Sequence, residues 1–208
     1  MTAGYDIVRI SAIEPIEVAG GLKWRPLRRT LGVQAFGLNA YVAENEGDEV
    51  VESHTEATLG HEEVYVVVSG RATFTLDEKE IDAPAGTIVH LADPAIRRHA
   101  RAAEAGTTVL AIGGKPGEAY TPSAWESYFA VERFRAAGDH AAAIAELEQA
   151  LVEHPKNAGV LYSLGCWQAL AGRSEEAVAS IRATIERDPR YAELSQDDRN
   201  LDSIRDRL

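Results

Sequence analysis

Three landmarks recur at a single offset in the C-terminal part of this 208-residue chain. Gly138 and Gly172, Ala143 and Ala177, and Pro155 and Pro189 are each 34 residues apart. The repeated segments are GDHAAAIAELEQALVEHP, from Gly138, and GRSEEAVASIRATIERDP, from Gly172. Glycine at a turn, a small residue at a helix contact and proline at a helix end confine such a segment to stacked helical hairpins. Helical spacing is predicted from Ser123 to the C-terminus. Ser123-Ala-Trp-Glu126 has the form of a capping box that opens it. The tail from Ala192 to Leu208, with Leu194, Leu201, Ile204 and Leu208, reads as an amphipathic capping helix.

On these landmarks, residues 124–190 resemble tetratricopeptide (TPR) repeats. Leu164-Gly165 matches the family's Leu-Gly in a first helix, and Ala150 its small residue in a second. The departures are Thr184, where the family prefers Ala, and Val131, where it prefers Gly. The resemblance implies a protein-interaction module. Two repeats fall short of the three usually needed for independent stability. The helices are therefore expected to lean on the rest of the chain, on a second subunit, or on both. Trp125, Tyr128, Phe129 and Phe134 would provide that contact, or would fill the helical core.

Before residue 120 the period is that of strands. Val33–Val42, Val64–Val68, Ala72–Leu76, Thr87–Leu91 and Thr107–Ile112 are apolar or alternating runs, separated by turn residues such as Ser69-Gly70, Asp93-Pro94 and Gly113-Gly114. Many short strands at this spacing predict an antiparallel sandwich or barrel. Val64–Val68 is apolar on both faces and should lie centrally. The expected organisation is segregated: an all-β unit over 1–120, then helices over 123–208.

The segment HTEATLGHEEVYVVVSG, from His54 to Gly70, resembles the first cupin motif. Glu63 and Gly70 have the family's spacing, His54 fits its first His, and Gly47 precedes His54 at close to the expected distance. PAGTIVHLADPAIRRHA, from Pro84 to Ala100, resembles the second motif, opened by Gly86. The resemblance spans about residues 45–114 and implies a cupin jelly-roll barrel, commonly dimeric. It also implies a divalent metal held by three His and one Glu from the two motifs. This chain departs from that set. Glu56 stands at the second His, the gap from Glu56 to Glu63 is two residues too long, and Arg97 replaces the His of the second motif. A three-His site at the usual positions is excluded.

Substitute ligands are present. An extended strand puts His61, Glu63 and Tyr65 on one face. His54, Glu56, His61 and Glu63 would then form a set of two imidazoles and two carboxylates, suited to Zn, Mn or Fe(II). His99 could add to it from the second motif. A different balance is equally open. A buried Glu63 needs a positive partner, and if Arg97 supplies it the metal becomes unnecessary. Arg97 and Arg98 could also clamp a carboxylate or phosphate. His90, in an apolar run, reads as a hydrogen-bonded core histidine, and His140 and His154 as exposed.

Composition narrows the function. With 21 Lys and Arg against 33 Asp and Glu, the net charge is -12. That opposes binding to nucleic acid or to anionic membranes. The one cysteine, Cys166, excludes an internal disulfide and a thiolate zinc site; it reads as a packing residue. MTAGYDIVRI has neither a basic start nor an apolar run, so no signal peptide is expected. With no run of 18 apolar residues there is no spanning helix, and a cytoplasmic location is expected. Two functions fit: a small-molecule binding or sensing barrel, its ligand touching Tyr65 and Arg97, coupled to an interaction module; or a metal-dependent oxygenase, isomerase or lyase acting on a small anion. A homodimer is expected, through strands at Tyr5–Ile16 and Trp24 or through the first TPR helix.

Overall fold

The computed structural model describes residues 6–18 and 21–208. The chain divides into two compact units, Met1–Pro122 and Ser123–Leu208. Strands fill the first and helices the second, the segregated layout expected from the sequence.

The first unit contains, in order, β1 (Ile16–Glu17), β2 (Lys23–Arg25), α1 (Leu27–Leu31), β3 (Gly37–Val42), β4 (Glu49–His54), β5 (Glu62–Ser69), β6 (Arg71–Leu76), β7 (Lys79–Pro84), β8 (Ile88–Leu91), β9 (Arg98–Ala102) and β10 (Thr108–Gly114). Among the described residues, one sheet runs β1-β2-β3-β10-β5-β8 and the other β4-β9-β6-β7, with every pairing antiparallel. β5 has a partner on each side, as its two apolar faces predict. Alternation sends Tyr65 and Val67 inward from β5, where Tyr65 meets Phe74 of the opposite sheet at 5.8 Å between ring centroids. Trp24, Val50, Val51, Ala100 and Val109 complete this interior. The indole of Trp24 donates to Asn39 Oδ1 at 2.7 Å, so its polar edge is satisfied. The tight β5–β6 turn depends on Gly70, at φ 72°. A Cβ there would lie 2.5 Å from Thr107 Oγ1.

The N-terminal segment packs on its own chain. Ile16 and Glu17 pair with Trp24 and Lys23, and Ile13 packs with Leu27 and Ala40. β1 is the edge strand of its sheet among the described residues, so its outer side is the one expected to meet a neighbour, while Tyr5 lies outside the described residues. His90 departs from expectation. β8 turns Val89 and Leu91 inward, leaving His90 outward with Glu62 Oε1 at 2.5 Å. Ile88, apolar but outward, disguised that phase in the sequence.

The second unit contains α2 (Trp125–Ala130) continued by a 3-10 turn at Val131–Phe134, α3 (His140–Glu153), α4 (Ala158–Leu170), α5 (Ser174–Arg187) and α6 (Arg190–Asp197). Gly138 and Gly172 take left-handed φ of 64° and 74° at the two turns. Asp139 and Asn157 cap α3 and α4 by accepting from Ala142 N and Val160 N. Gly165 lets α4 and α5 close together, since a Cβ there would lie 2.7 Å from Ile181 Cδ1. Tyr128 and Phe134 pack against the core formed by Val131, Leu147, Leu164 and Trp167. Two expectations fail. Ser123 provides no capping box: α2 begins after Ala124 with no side-chain cap, and only the Ser123 carbonyl accepts, from Glu126 N. The tail is not one helix either. Asp198, with extended backbone, ends α6. Leu201 and Ile204 are then buried through 3-10 and turn geometry, while Leu194 stays exposed. No helix among the described residues is long and apolar enough to cross a membrane.

Candidate functional site

The antiparallel register pairs His54 of β4 with Arg98 of β9, which places them side by side on one face. Glu63 and Tyr65, two residues apart, share one face of β5 in the other sheet. Glu56 comes from the turn after β4, anchored by its N–H to the Pro94 carbonyl at 2.9 Å and by its own carbonyl, which accepts from Gly60 N at 2.7 Å. These elements bring one imidazole and two carboxylates together. His54 Nε2 lies 3.6 Å from Glu56 Oε1 and 3.8 Å from Glu63 Oε2. One ligand atom from each of His54, Glu56 and Glu63 lies within 4.8 Å of the others. Their side chains are mostly covered, at 24%, 11% and 14% exposed.

The hydrogen bonds orient the set. His54 Nδ1 sits 2.9 Å from the Glu52 carbonyl oxygen. A carbonyl only accepts, so Nδ1 carries a proton and Nε2 is aimed at the carboxylates. Tyr65 donates its hydroxyl to Glu63 Oε2 at 2.8 Å. Burial would raise the Glu63 carboxyl, but the nearby His54 imidazole, the Tyr65 hydrogen bond and the Arg98 charge hold it below the usual range. Burial would lower His54, but Glu63 raises it above its ordinary value. Burial and the Glu63 charge push the Tyr65 hydroxyl well up.

His61 stands beside this set, with Nδ1 3.2 Å from Glu56 Oε2 but outside hydrogen-bond alignment. It is not one of the three converging ligand atoms. His99 is on the opposite face of β9, 3.0 Å from Glu49 Oε1, and contributes nothing. The expectation for Arg97 is overturned. Arg97 is exposed, and its backbone exchanges two hydrogen bonds with Asp77, its N–H donating to Oδ1 and its carbonyl accepting from Asp77 N. The buried arginine is its neighbour Arg98, at 0% exposure, with Nε 3.4 Å from Glu63 Oε2. The reason is strand phase: Arg98, Ala100 and Ala102 point inward, and one residue of slip inverts every side chain.

Three buried polar atoms here lack a hydrogen-bond partner: Glu56 Oε2, Arg98 Nε and Arg98 Nη2. Orphans of this kind are costly and call for an explanation such as a ligand, ion or water. Arg98 and His54 face the two carboxylates, yet Glu56 Oε2 has no hydrogen-bond partner. Ligand bonds of about 2.0–2.2 Å can span the 3.6 and 3.8 Å from His54 Nε2 to the two carboxylates, so His54, Glu56 and Glu63 fit a divalent metal. Cys166 is far removed in role: it is buried in α4, and its Sγ donates to Asp198 Oδ2 at 3.5 Å.

Residues 134–196 match the tetratricopeptide repeat family. No curated protein matches the chain. Among solved structures, the chain is similar to a cupin protein from Bacteroides fragilis, at 19% identity and TM-score 0.43, over 59% of this chain and 93% of that one. It is similar to a Cupin 2 conserved barrel domain protein from Salinispora arenicola, at 18% identity and TM-score 0.42, over 53% and 89%. It is also similar to a sugar phosphate isomerase from a cupin superfamily from Silicibacter pomeroyi, at 18% and 0.44, over 52% and 74%. The family match is confined to residues 134–196, within the helical unit.

Proposed function

We propose that the barrel unit binds a small anionic molecule on a divalent metal held by His54, Glu56 and Glu63, and that the helical unit engages a protein partner. The observation that carries this reading is the convergence of three ligand atoms beside orphaned polar groups on Glu56 and Arg98. The metal, Zn, Mn or Fe(II), would supply a Lewis acid for an anionic oxygen. His61 stands by as a further donor near Glu56. Arg98 takes the role expected of Arg97, as the guanidinium facing ligand and Glu63. Tyr65, whose hydroxyl is pushed up, positions Glu63 rather than giving up its proton at neutral pH.

The second reading is an enzyme acting on a small anion, and the same three ligand atoms support it. Elemental analysis of the purified protein, followed by thermal-shift titration with small carboxylates and phosphate esters, tests the binding reading. One equivalent of transition metal with anion-dependent stabilisation is expected. Metal-free protein that no anion stabilises would contradict it. Turnover of a stabilising anion would select the enzyme reading.

The homodimer belongs to the same proposal. It is supported by the outward apolar residues Ile88 and Val68, 65% and 49% exposed, near the β8 edge. Light scattering should give twice the chain mass. The cytoplasmic location expected from the sequence belongs to the same proposal.

A further inference from the structure

We propose that the ligand of this site is a 2-hydroxy acid, a carboxylate held by Arg98 whose neighbouring hydroxyl donates to Glu56. The inference rests on reading the His54–Glu56–Glu63 cluster as a binding site. The buried atoms without a partner there are of two kinds. Glu56 Oε2, when ionised, only accepts; Arg98 Nε and Nη2 only donate. Both side chains are more than nine-tenths buried, with Glu56 8% and Arg98 0% exposed. One oxygen ties them together: the Pro94 carbonyl accepts from Glu56 N at 2.9 Å and from Arg98 Nη1 at 3.5 Å. With Nη1 so placed, the Nε–Nη2 edge of the guanidinium is left over. Its two N–H bonds run parallel and match the two oxygens of a carboxylate. Nε leans toward Glu63 Oε2, 3.4 Å away but outside hydrogen-bond alignment, and Nη2 has no hydrogen-bond partner. Glu56 is divided in the same way. Its Oε1 is on the His54 side, 3.6 Å from Nε2, while Oε2 lies 3.2 Å from His61 Nδ1 without a hydrogen bond.

A molecule that satisfies both kinds of atom brings an anionic pair of oxygens and an O–H. A bare carboxylate leaves Glu56 Oε2 buried and unpaired, and an alcohol alone leaves the guanidinium edge unpaired; either is costly. Two residues hung on one carbonyl oxygen favour the shortest spacer, a hydroxyl on the carbon next to the carboxylate. Charge separates carboxylate from phosphate. Glu56 and Glu63 against Arg98 leave one negative charge, which a divalent cation turns into one positive. A carboxylate neutralises that charge. A phosphate monoester carries about -1.5 to -2 at pH 7 and brings the excess beside two buried carboxylates.

Ligand-observed NMR titration of the full chain tests this, on EDTA-stripped protein and again with one equivalent of Zn2+. The probes are glycolate, methoxyacetate, acetate and glycerol 2-phosphate. Methoxyacetate keeps the oxygens of glycolate but has no O–H to donate. Glycolate is expected to bind about tenfold or more tighter than methoxyacetate and acetate, the worth of one hydrogen bond to a charged group, and tighter than glycerol 2-phosphate. Arg98→Lys keeps the charge without the paired N–H edge, and should weaken glycolate and acetate alike. Glu56→Ala should bring the glycolate to acetate ratio close to one. If either variant unfolds, the four probes on the parent chain still decide. Equal affinities for glycolate, methoxyacetate and acetate, or no binding in either state, would overturn the hydroxy acid and leave trapped water on these atoms. Tighter binding of glycerol 2-phosphate would overturn the carboxylate. A chain that prefers glycolate but takes up no Zn2+ keeps the hydroxy acid and loses the metal; one that takes up Zn2+ without the preference does the reverse.

Discussion

Replacing Arg98 with methionine removes the buried cation beside Glu63 and leaves a flexible apolar chain in its space. The guanidinium Nε is 3.4 Å from Glu63 Oε2, with no solvent exposure at the arginine. At an effective dielectric of about 20, that separation is worth about 5 kcal/mol of attraction. Against it stand the unpaired Nε and Nη2 groups, each costing about 1–3 kcal/mol while buried. Methionine relieves both. The balance predicts a net loss of about 1 kcal/mol in metal-free protein, below the about 3–5 kcal/mol typical of pair-breaking changes because the orphans are relieved too. Hydrogen exchange of the β5 and β10 amides reports the barrel unit by itself and is the assay of choice. Adding Zn2+ should recover part of the loss, since a metal gives Glu63 another positive partner. A variant as stable as the parent, or more stable, would refute the claim that Arg98 is held there by Glu63.

Other consequences can be checked independently. Burial first, then Asp198, raises the Cys166 thiol from its ordinary 9.0, so iodoacetamide at pH 8 should label it only when the helical unit unfolds. The sign for stability follows: a raised thiol contributes below pH 9, and that contribution is lost as pH rises further, because the unfolded thiol ionises first. Measured urea midpoints should fall above that pH more steeply than in Cys166→Ala. Gly165→Ala forces Ile181 aside, with a Cβ 2.7 Å from its Cδ1, and should cost about 1–3 kcal/mol of helical-unit stability by thermal melting. Limited proteolysis should cut first within 113–121, where Gly and Pro cluster at the junction of the two units; cuts inside β5 or α4 instead would argue against separable units.

The parts legible in the sequence are those set by local periodicity. The helical hairpins were readable because Gly138 and Gly172, with φ of 64° and 74°, need glycine wherever the turn recurs. His54, Glu56 and Glu63 could be proposed from motif spacing, yet their distances depend on the register between β4 and β9 and on the facing of two sheets. The arginine shows how a motif alignment misleads. Alignment pointed to Arg97, whereas the alternation of Arg98, Ala100 and Ala102 already carried the inward phase. His61 lies just before β5 begins, so alternation put it beside Glu63 but could not fix its distance to the other ligands. The tail read as one helix because its apolar spacing hides the break at Asp198, which accepts from the Tyr162 hydroxyl and from Asn200 N.

Calorimetric titration of EDTA-stripped protein with Zn2+, alongside His54→Ala, Glu63→Gln and His61→Ala, tests the central claim most directly. The account predicts one equivalent bound by the parent chain. It predicts a loss of at least about 100-fold in affinity on removing His54 or Glu63, since even outer-shell partners are worth about 10–100-fold, and a smaller loss for His61→Ala. A parent chain that binds no Zn2+, Mn2+ or Fe2+, or binding that survives His54→Ala and Glu63→Gln unchanged, would contradict a metal centre at these residues.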